Sequence, residues 1–413
     1  MVVAAAGHWI ASGVAATVRD GTVVGDPGGS TAGNRTINDL LNLLYRDRSD
    51  LACAPVATGR GVGIVDTGRP GAGAGAPEPP AAPRQALALN PTAAGRTLHR
   101  MNATLQMLIA ADPWVELVAR RDLLDESPDR SLLGCISRDS RVADLFSATD
   151  PWPPERRSTK ACNPGDAIWK VGVLADFGLD GSDARVAALA ERLFASAAPD
   201  GTFRHGGFDH TRSYDARGYT CITHAVTGAL ARFGYRDDPR LAPAFDHIRA
   251  TQRLDGGWHP NAALQFGAGR ESEPSCPFGT LQILRAVTNV GGELLGCVGP
   301  RAADYLLGCW ARRDEPFRPV GFGMGSTFAK LNYPFATYSI LGVVDALTAV
   351  PASRRDSRLV ALVDAVAASG RADGYLATTV SGAWIAFDFG QKKTVSPWIT
   401  ALVMRAVRRM REA

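Results

Sequence analysis

The sequence predicts an all-α protein in which six outer and six inner helices alternate around a closed ring, and three observations carry that prediction. First, one helix-start signal recurs six times: Asp112-Pro113-Trp114, Asn163-Pro164-Gly165, Cys221-Ile222-Thr223, Cys276-Pro277-Phe278, Tyr333-Pro334-Phe335 and Ser396-Pro397-Trp398. The starts are 51, 58, 55, 57 and 63 residues apart, too far for a short helix pair and suited to a helical hairpin with a long loop. Second, the segments after the starts are apolar on nearly every side, as buried helices are. Third, three of the loops carry the same turn: Asp200-Gly201-Thr202-Phe203, Asp255-Gly256-Gly257-Trp258 and Asp373-Gly374-Tyr375-Leu376.

Residues 1–90 stand apart as a largely disordered leader before a helical domain spanning 91–413. Gly25 to Gly33 and Gly68 to Pro83 are dominated by Gly, Ala and Pro and cannot bury enough apolar surface to order themselves. The apolar stretch Met1 to Ala16 lacks a basic flank and reads as a tail, and Ile37 to Tyr45 as a short helix. Thr97 to Ala110 supplies the first amphipathic helix of the body. Five of the six starts put proline at the first helical position, where its missing N–H costs nothing. Asp112, Asn163 and Ser396 are placed to cap. The buried segments are Ala167 to Val173, Leu281 to Val287, Ser339 to Val344 and Ala401 to Val407. Between them run amphipathic helices at Ala187 to Phe194, Ala302 to Leu307 and through Leu359, Leu362, Val363 and Val366, at i, i+3, i+4, i+7. Asp122, Asp125 and Glu126 end their helix as a solvated acidic face.

Bulk properties exclude several classes. Over 413 residues the net charge is only +4, with no basic stripe interleaved with aromatics, so nucleic acid is not the partner. No apolar run is long enough to span a membrane. Seven widely spaced cysteines do not form a disulfide framework, which places the chain in a reducing cytoplasm.

An outer helix, a long loop and a buried inner helix, repeated six times with Asp-Gly-aromatic turns, resembles the α/α-toroid superfamily. That group includes squalene and oxidosqualene cyclases, protein prenyltransferase β-subunits and lanthionine synthetase cyclases. Gly323 to Leu331 and Phe387 to Lys393 are similar to segments of bacterial prenyltransferase/squalene-oxidase-repeat proteins. The resemblance covers roughly residues 95 to 410 and implies an (α/α)6 toroid, with a terpenoid-cyclase or prenyltransferase-like activity as its first reading. Two family features are missing. The Asp-x-Asp-Asp motif of class II terpene cyclases does not occur, and Pro277 follows Cys276 where lanthionine cyclases place a ligand histidine.

In such a ring the inner-helix N-termini converge on one rim, whose unsatisfied N–H groups favour an anion. Arg204, His205, Arg212, Arg217, Lys330, Lys392 and Lys393 lie on the rim loops, and Trp169, Phe278, Phe335, Tyr338 and Trp398 line the interior. With Tyr333 at the fifth start, these residues suit a small apolar or prenyl-type ligand with an anionic head. Asp388, Asp209 and Asp215 are the candidate general acids, because burial beside aromatic rings raises a carboxyl pKa. Asp388 stands out, set between Phe387 and Phe389. Cys221, His224 and Cys276 form a second constellation: two residues on one helix face and a third at the next helix start. That donor set suits zinc with an open position, so zinc is the one cofactor the residues suggest. Three readings follow: an isoprenoid enzyme using the rim acids, a non-catalytic scaffold for a peptide or partner protein, and a zinc-dependent thiol enzyme modifying a peptide.

Overall fold

The structure is a computed structural model. It describes the strand residues 8–11, 14–19 and 22–25, and the chain from 102 to 412 except 128, 155–162, 206–219, 260–273, 317–318, 320–323 and 325–326. The side chains of the strands, of Thr220 and of Cys221 fall outside that description.

Within the segment read as a leader, three strands pair as an antiparallel meander: β1 (His8–Ala11), β2 (Val14–Arg19) and β3 (Thr22–Gly25). His8 faces Thr17 and Arg19 faces Thr22. Val and Thr are frequent here, and the two-residue connections are Ser12-Gly13 and Asp20-Gly21, pairs that favour hairpins.

From 102 onward the described chain is helical: α1 (102–109), α2 (Pro113–Leu123), α3 (Arg130–Arg138), α4 (Ser140–Ser147), α5 (Ala167–Asp176) and α6 (Ala184–Ala195). It continues with α7 (Thr220–Leu230), α8 (Ala242–Thr251), α9 (Pro277–Val290), α10 (Gly292–Ala311), α11 (Ile340–Thr348), α12 (Ser357–Ala368) and α13 (Pro397–Arg411). Three starts behave as expected, with Pro113, Pro277 and Pro397 at the first helical position. Two do not. Pro164 lies in a turn ahead of α5, and Pro334 follows a cis bond six residues before α11 begins at Ile340.

Capping differs in the same way. Ser396 accepts from the Ile399 N–H, whereas Asp112 makes no side-chain cap and is held by Arg141 instead. Asn163 accepts from Gly165 within its turn. The thiol sulfur of Cys276 takes the capping role at α9, accepting from the Gly279 N–H at 3.3 Å.

The apolar helices that follow the starts pack on one another in the order α2, α13, α11, α9, α7, α5. Between α5 and α2, Phe177 stacks on Trp114 at 4.3 Å. Further helices pack against these, α10 on α9 and α12 on α11. In α12, Leu359, Leu362, Val363 and Val366 are all buried, as their spacing requires.

The Asp-Gly-aromatic turns share one bonding scheme. The backbone N–H of Phe203, Trp258 and Tyr375 donates to the hydroxyl of Thr223, Thr280 and Thr400, each in the next inner helix. All three rings are buried. Gly256 has φ 91° and lies so near the α10 backbone that an added Cβ would sit 2.4 Å from the Arg301 carbonyl oxygen. Only glycine fits there.

Candidate functional site

Two features stand out where these helices pack: a cluster of aromatic rings holding one carboxyl group, and a network of buried charges beside a cleft.

The aromatic cluster is built where the loop 381–396 meets the N-terminal turns of α2 and α13. Trp384, Phe387, Phe389 and Trp398 pack on one another with Trp114, Phe177 and Tyr333, at centroid distances between 4.3 and 6.4 Å. Phe387 and Phe389 stack on each other at 5.2 Å, and Asp388 lies between them in sequence. Its Oδ2 accepts from the Ser396 hydroxyl at 2.5 Å and from the Trp398 N–H at 2.9 Å. Its Oδ1 is buried and meets no donor among the described residues. Burial pushes this carboxyl pKa up, against the pull of Ser396 and Trp398, and the charge of Asp112 adds to the rise. Asp388 thus gives up its proton less readily than an exposed aspartate.

The charged network went unpredicted. Five of the helices α2, α5, α7, α9, α11 and α13 contribute to it, with Arg232 added from the turn just past α7. Arg405 of α13 bonds Asp345 of α11 at 2.8 Å and Asp122 of α2 at 3.1 Å, and Arg409 adds a second contact to Asp345 at 3.2 Å. Asp176 of α5 faces Arg232, just past α7, at 3.3 Å and Arg285 of α9 at 3.4 Å. Arg405 is 7% exposed. Burial alone raises the Asp345 carboxyl, but Arg405, Arg409 and Arg285 outweigh it and hold the pKa near 2. Burial likewise opposes ionisation of Asp122, and Arg121 and Arg405 outweigh it. Asp122 is therefore part of a buried ion network and not the solvated face the sequence suggested. No single pattern marks the network in sequence: Glu116, Arg120 and Arg121 share α2 with Asp122, and α13 carries four arginines. Buried pairs of this kind persist only where partners are close and well aligned.

Tyr333 joins the two features. Its ring lies 4.8 Å from Phe389 and 5.3 Å from Trp398, while its hydroxyl donates to Asp176 at 2.8 Å. Beside Asp176 a small, partly open cleft of about 30 Å³ runs along α5, α7 and α9. Its walls include Gly172, Ala175, Ala225, Gly228, Ala229 and Ala286, and its polar lining is Asp176, Arg232, Gln282, Arg285 and Asn289. Of the aromatic residues expected to line the interior, Trp169 borders this cleft.

Of the residues singled out from sequence, Asp388, Tyr333 and Trp398 come together in the aromatic cluster. Arg204, Lys392 and Lys393 are exposed, Lys330 is half-buried and His205 is buried. Asp209, Asp215, Arg212 and Arg217 lie outside the described residues, as does the Cys221 side chain. His224 is fully buried, its Nδ1 3.2 Å from the Thr227 hydroxyl and its Nε2 3.0 Å from Nδ1 of His247. Burial, and then His247, push its pKa down to about 3, so it is neutral across the ordinary range. Burial pushes the Cys276 thiol up to about 11. Both groups are in the proton state of packed core residues. Among the described residues no group of three His, Cys, Asp or Glu is placed to hold a metal ion, and no helix is long and apolar enough to cross a membrane.

No family model matches the chain. No curated protein matches it either. Among solved structures it is similar to the type II terpene cyclase MstE from Scytonema in its apo form, at 13% identity and a TM-score of 0.38, over 76% of this chain and 98% of that one. A variant of that enzyme in complex with geranylgeranyl dihydroxybenzoate matches at 14% identity and a TM-score of 0.38, over 76% and 97%. Another variant, in complex with merosterolic acid A, matches at 16% identity with the same TM-score and coverage.

Proposed function

We propose that this chain is an (α/α)6 toroid enzyme of terpenoid-cyclase-like type, which binds an apolar, isoprenoid-type substrate and activates it by proton transfer from Asp388. The ring is supported by the packing order of the inner helices and by the stacking of Phe177 on Trp114. One observation carries the chemistry: a carboxyl whose pKa burial raises, held through one oxygen and unpartnered at the other, set among aromatic rings.

Ser396 and the Trp398 N–H fix Oδ2, which leaves the proton on Oδ1. Delivered to an alkene carbon, that proton takes the π-electron pair and leaves a cation on the neighbouring carbon. Further alkenes then attack the cation in turn, and a C–H proton is lost at the end. The carboxylate is reprotonated by that proton or through solvent, so no other reactant is consumed. The π faces of Trp114, Phe389 and Trp398 favour a passing cation.

The test is product analysis and thermal denaturation with geranylgeraniol and geranylgeranyl diphosphate. A ligand at 100 times its Kd stabilises by about 2.7 kcal/mol, visible as a rise of a few degrees. The expected result is a cyclised product from the wild type and none from Asp388→Asn, with the thermal shift kept in both. Binding without product in the wild type would favour the scaffold reading. No shift with any isoprenoid would remove the substrate class. Stoichiometric zinc in protein purified without a metal-affinity step would revive the Cys221, His224 and Cys276 reading.

A further inference from the structure

The cleft along α5, α7 and α9 has two properties that packing alone does not explain. The first is its charge. Five arginines (Arg121, Arg232, Arg285, Arg405 and Arg409) are linked by contact or by field to three aspartates (Asp122, Asp176 and Asp345). Among the described residues of the network, positive charge is in excess. At the cleft itself Arg232 and Arg285 share one carboxylate, Asp176, and both contacts exceed 3.2 Å. Arg285 is also stacked over Phe335 at 4.3 Å, which orients its guanidinium without using its N–H groups. Burial lowers the Arg232 pKa against the help of Asp176, and the guanidinium is oriented by donating to the backbone carbonyls of Ala175 at 3.1 Å and Asp176 at 3.4 Å.

The second property is Gly172. It lies within α5 on the cleft wall, and a Cβ added there would meet nothing within 4 Å. Its backbone is ordinary helix, so neither φ nor close approach requires glycine. Gly228 on the facing wall is different, because its Cβ would come 2.8 Å from the Ala286 Cα. Gly228 allows α7 and α9 to touch. Gly172 keeps space open, although glycine is less favourable than alanine inside a helix.

From these observations we infer that the cleft is a binding site for a small anionic group, a carboxylate or a phosphate, held by Arg232 and Arg285 and seated against Gly172. Guanidinium groups pair with both anions through parallel N–H donors. The site opposes the anion to Asp388 across Tyr333, whose ring packs in the aromatic cluster and whose hydroxyl reaches Asp176. An isoprenoid substrate with an acidic head would span the two. The site rests on the cleft alone and stands without acid chemistry at Asp388.

The test uses anions that carry no isoprenoid chain, inorganic diphosphate and benzoate, against the full chain by calorimetry and thermal shift at low salt. One or both should bind the wild type, and which one binds names the head group. Arg285→Gln should weaken that binding roughly tenfold or more, the scale of a lost charge-assisted hydrogen bond. Gly172→Leu, which fills the space and leaves every charge in place, should abolish it while keeping a cooperative melt. If neither anion binds the wild type, or if binding survives Gly172→Leu unchanged, the assignment is wrong. Cyclisation of geranylgeraniol by wild type and Gly172→Leu alike, with anion binding lost in the latter, would support both proposals separately.

Discussion

Replacing Arg405 with methionine removes one charge and keeps most of the side-chain volume. In the folded chain the guanidinium is 7% exposed and holds Asp345 at 2.8 Å and Asp122 at 3.1 Å. Breaking a buried pair by deleting one partner costs about 3–5 kcal/mol, because the remaining charge is stranded. Arg409 still serves Asp345, and Arg121 still serves Asp122, so the lower end, about 3 kcal/mol, is expected. The proton balance gives a similar figure. Asp345 is held near 2 from an ordinary 3.8, worth roughly 2 kcal/mol. Its folded pKa is depressed, so that contribution is full above the unfolded value and is lost as pH falls from about 4 toward 2. Urea midpoints for wild type and Arg405→Met at pH 7 and pH 3, followed by circular dichroism, measure both terms. The deficit of the variant should be about 3 kcal/mol at neutral pH and should shrink in acid, as protonation discharges the stranded carboxylates. A deficit below about 1 kcal/mol at pH 7, the range of an exposed pair, would refute the reasoning. So would a deficit that does not change with pH.

Gly172→Ala should raise stability by roughly 0.5–1 kcal/mol, since the helix gains propensity and the new methyl meets nothing; a loss on denaturant unfolding would mean that the wall is closer-packed than described. Asp388→Asn should be more stable than wild type at neutral pH, with the gain vanishing in acid. A raised folded pKa stabilises fully below the unfolded value and is lost as pH rises through it, and the amide is never charged. Thermal melts across pH check the sign. Native alkylation by iodoacetamide should label Cys135 and Cys297, which are exposed, and spare Cys276 and Cys309, which are buried with raised thiol pKa values. Peptide mapping that finds Cys276 alkylated without unfolding would contradict its place as the cap of α9.

The helical body was legible because its signals are local and strong. Proline at the first position marked α2, α9 and α13, and the i, i+3, i+4, i+7 stripe marked α12. Pro164 and Pro334 misled because a proline that opens a turn looks the same in sequence as one that opens a helix. The thread joining Phe203, Trp258 and Tyr375 to Thr223, Thr280 and Thr400 was only half visible. Turns announce themselves through Asp-Gly, whereas a threonine inside a helix carries no sign of a partner some 20 residues back. Asp388 was legible because aromatic neighbours in sequence became aromatic neighbours in space. The ion network was not, since Arg405 and Asp122 are 283 residues apart and each taken alone reads as a surface charge. The strands at 8–25 are hidden for a plainer reason: an apolar stretch without a basic flank looks like a tail, and strands this short give little alternation to reveal them.

The contact between Arg405 and Asp122 also has a consequence in time. During synthesis α2 emerges with its acidic end and the face that α13 will cover, and the arginine that neutralises it is made 283 residues later. Until then α2 lacks its α13 neighbour, with a carboxylate paired only to Arg121 and bare apolar surface along its edge. Loop closure over such a distance is slow to reward the chain, and intermediates of this kind aggregate. The seam between α2 and α13 is therefore where misfolding would begin and where a chaperone would have most to protect. It is also where the chain can be reconnected deliberately: a permuted chain that joins α13 directly to α2 would bring Arg405 and Asp122 close together in sequence and should fold faster than the natural order.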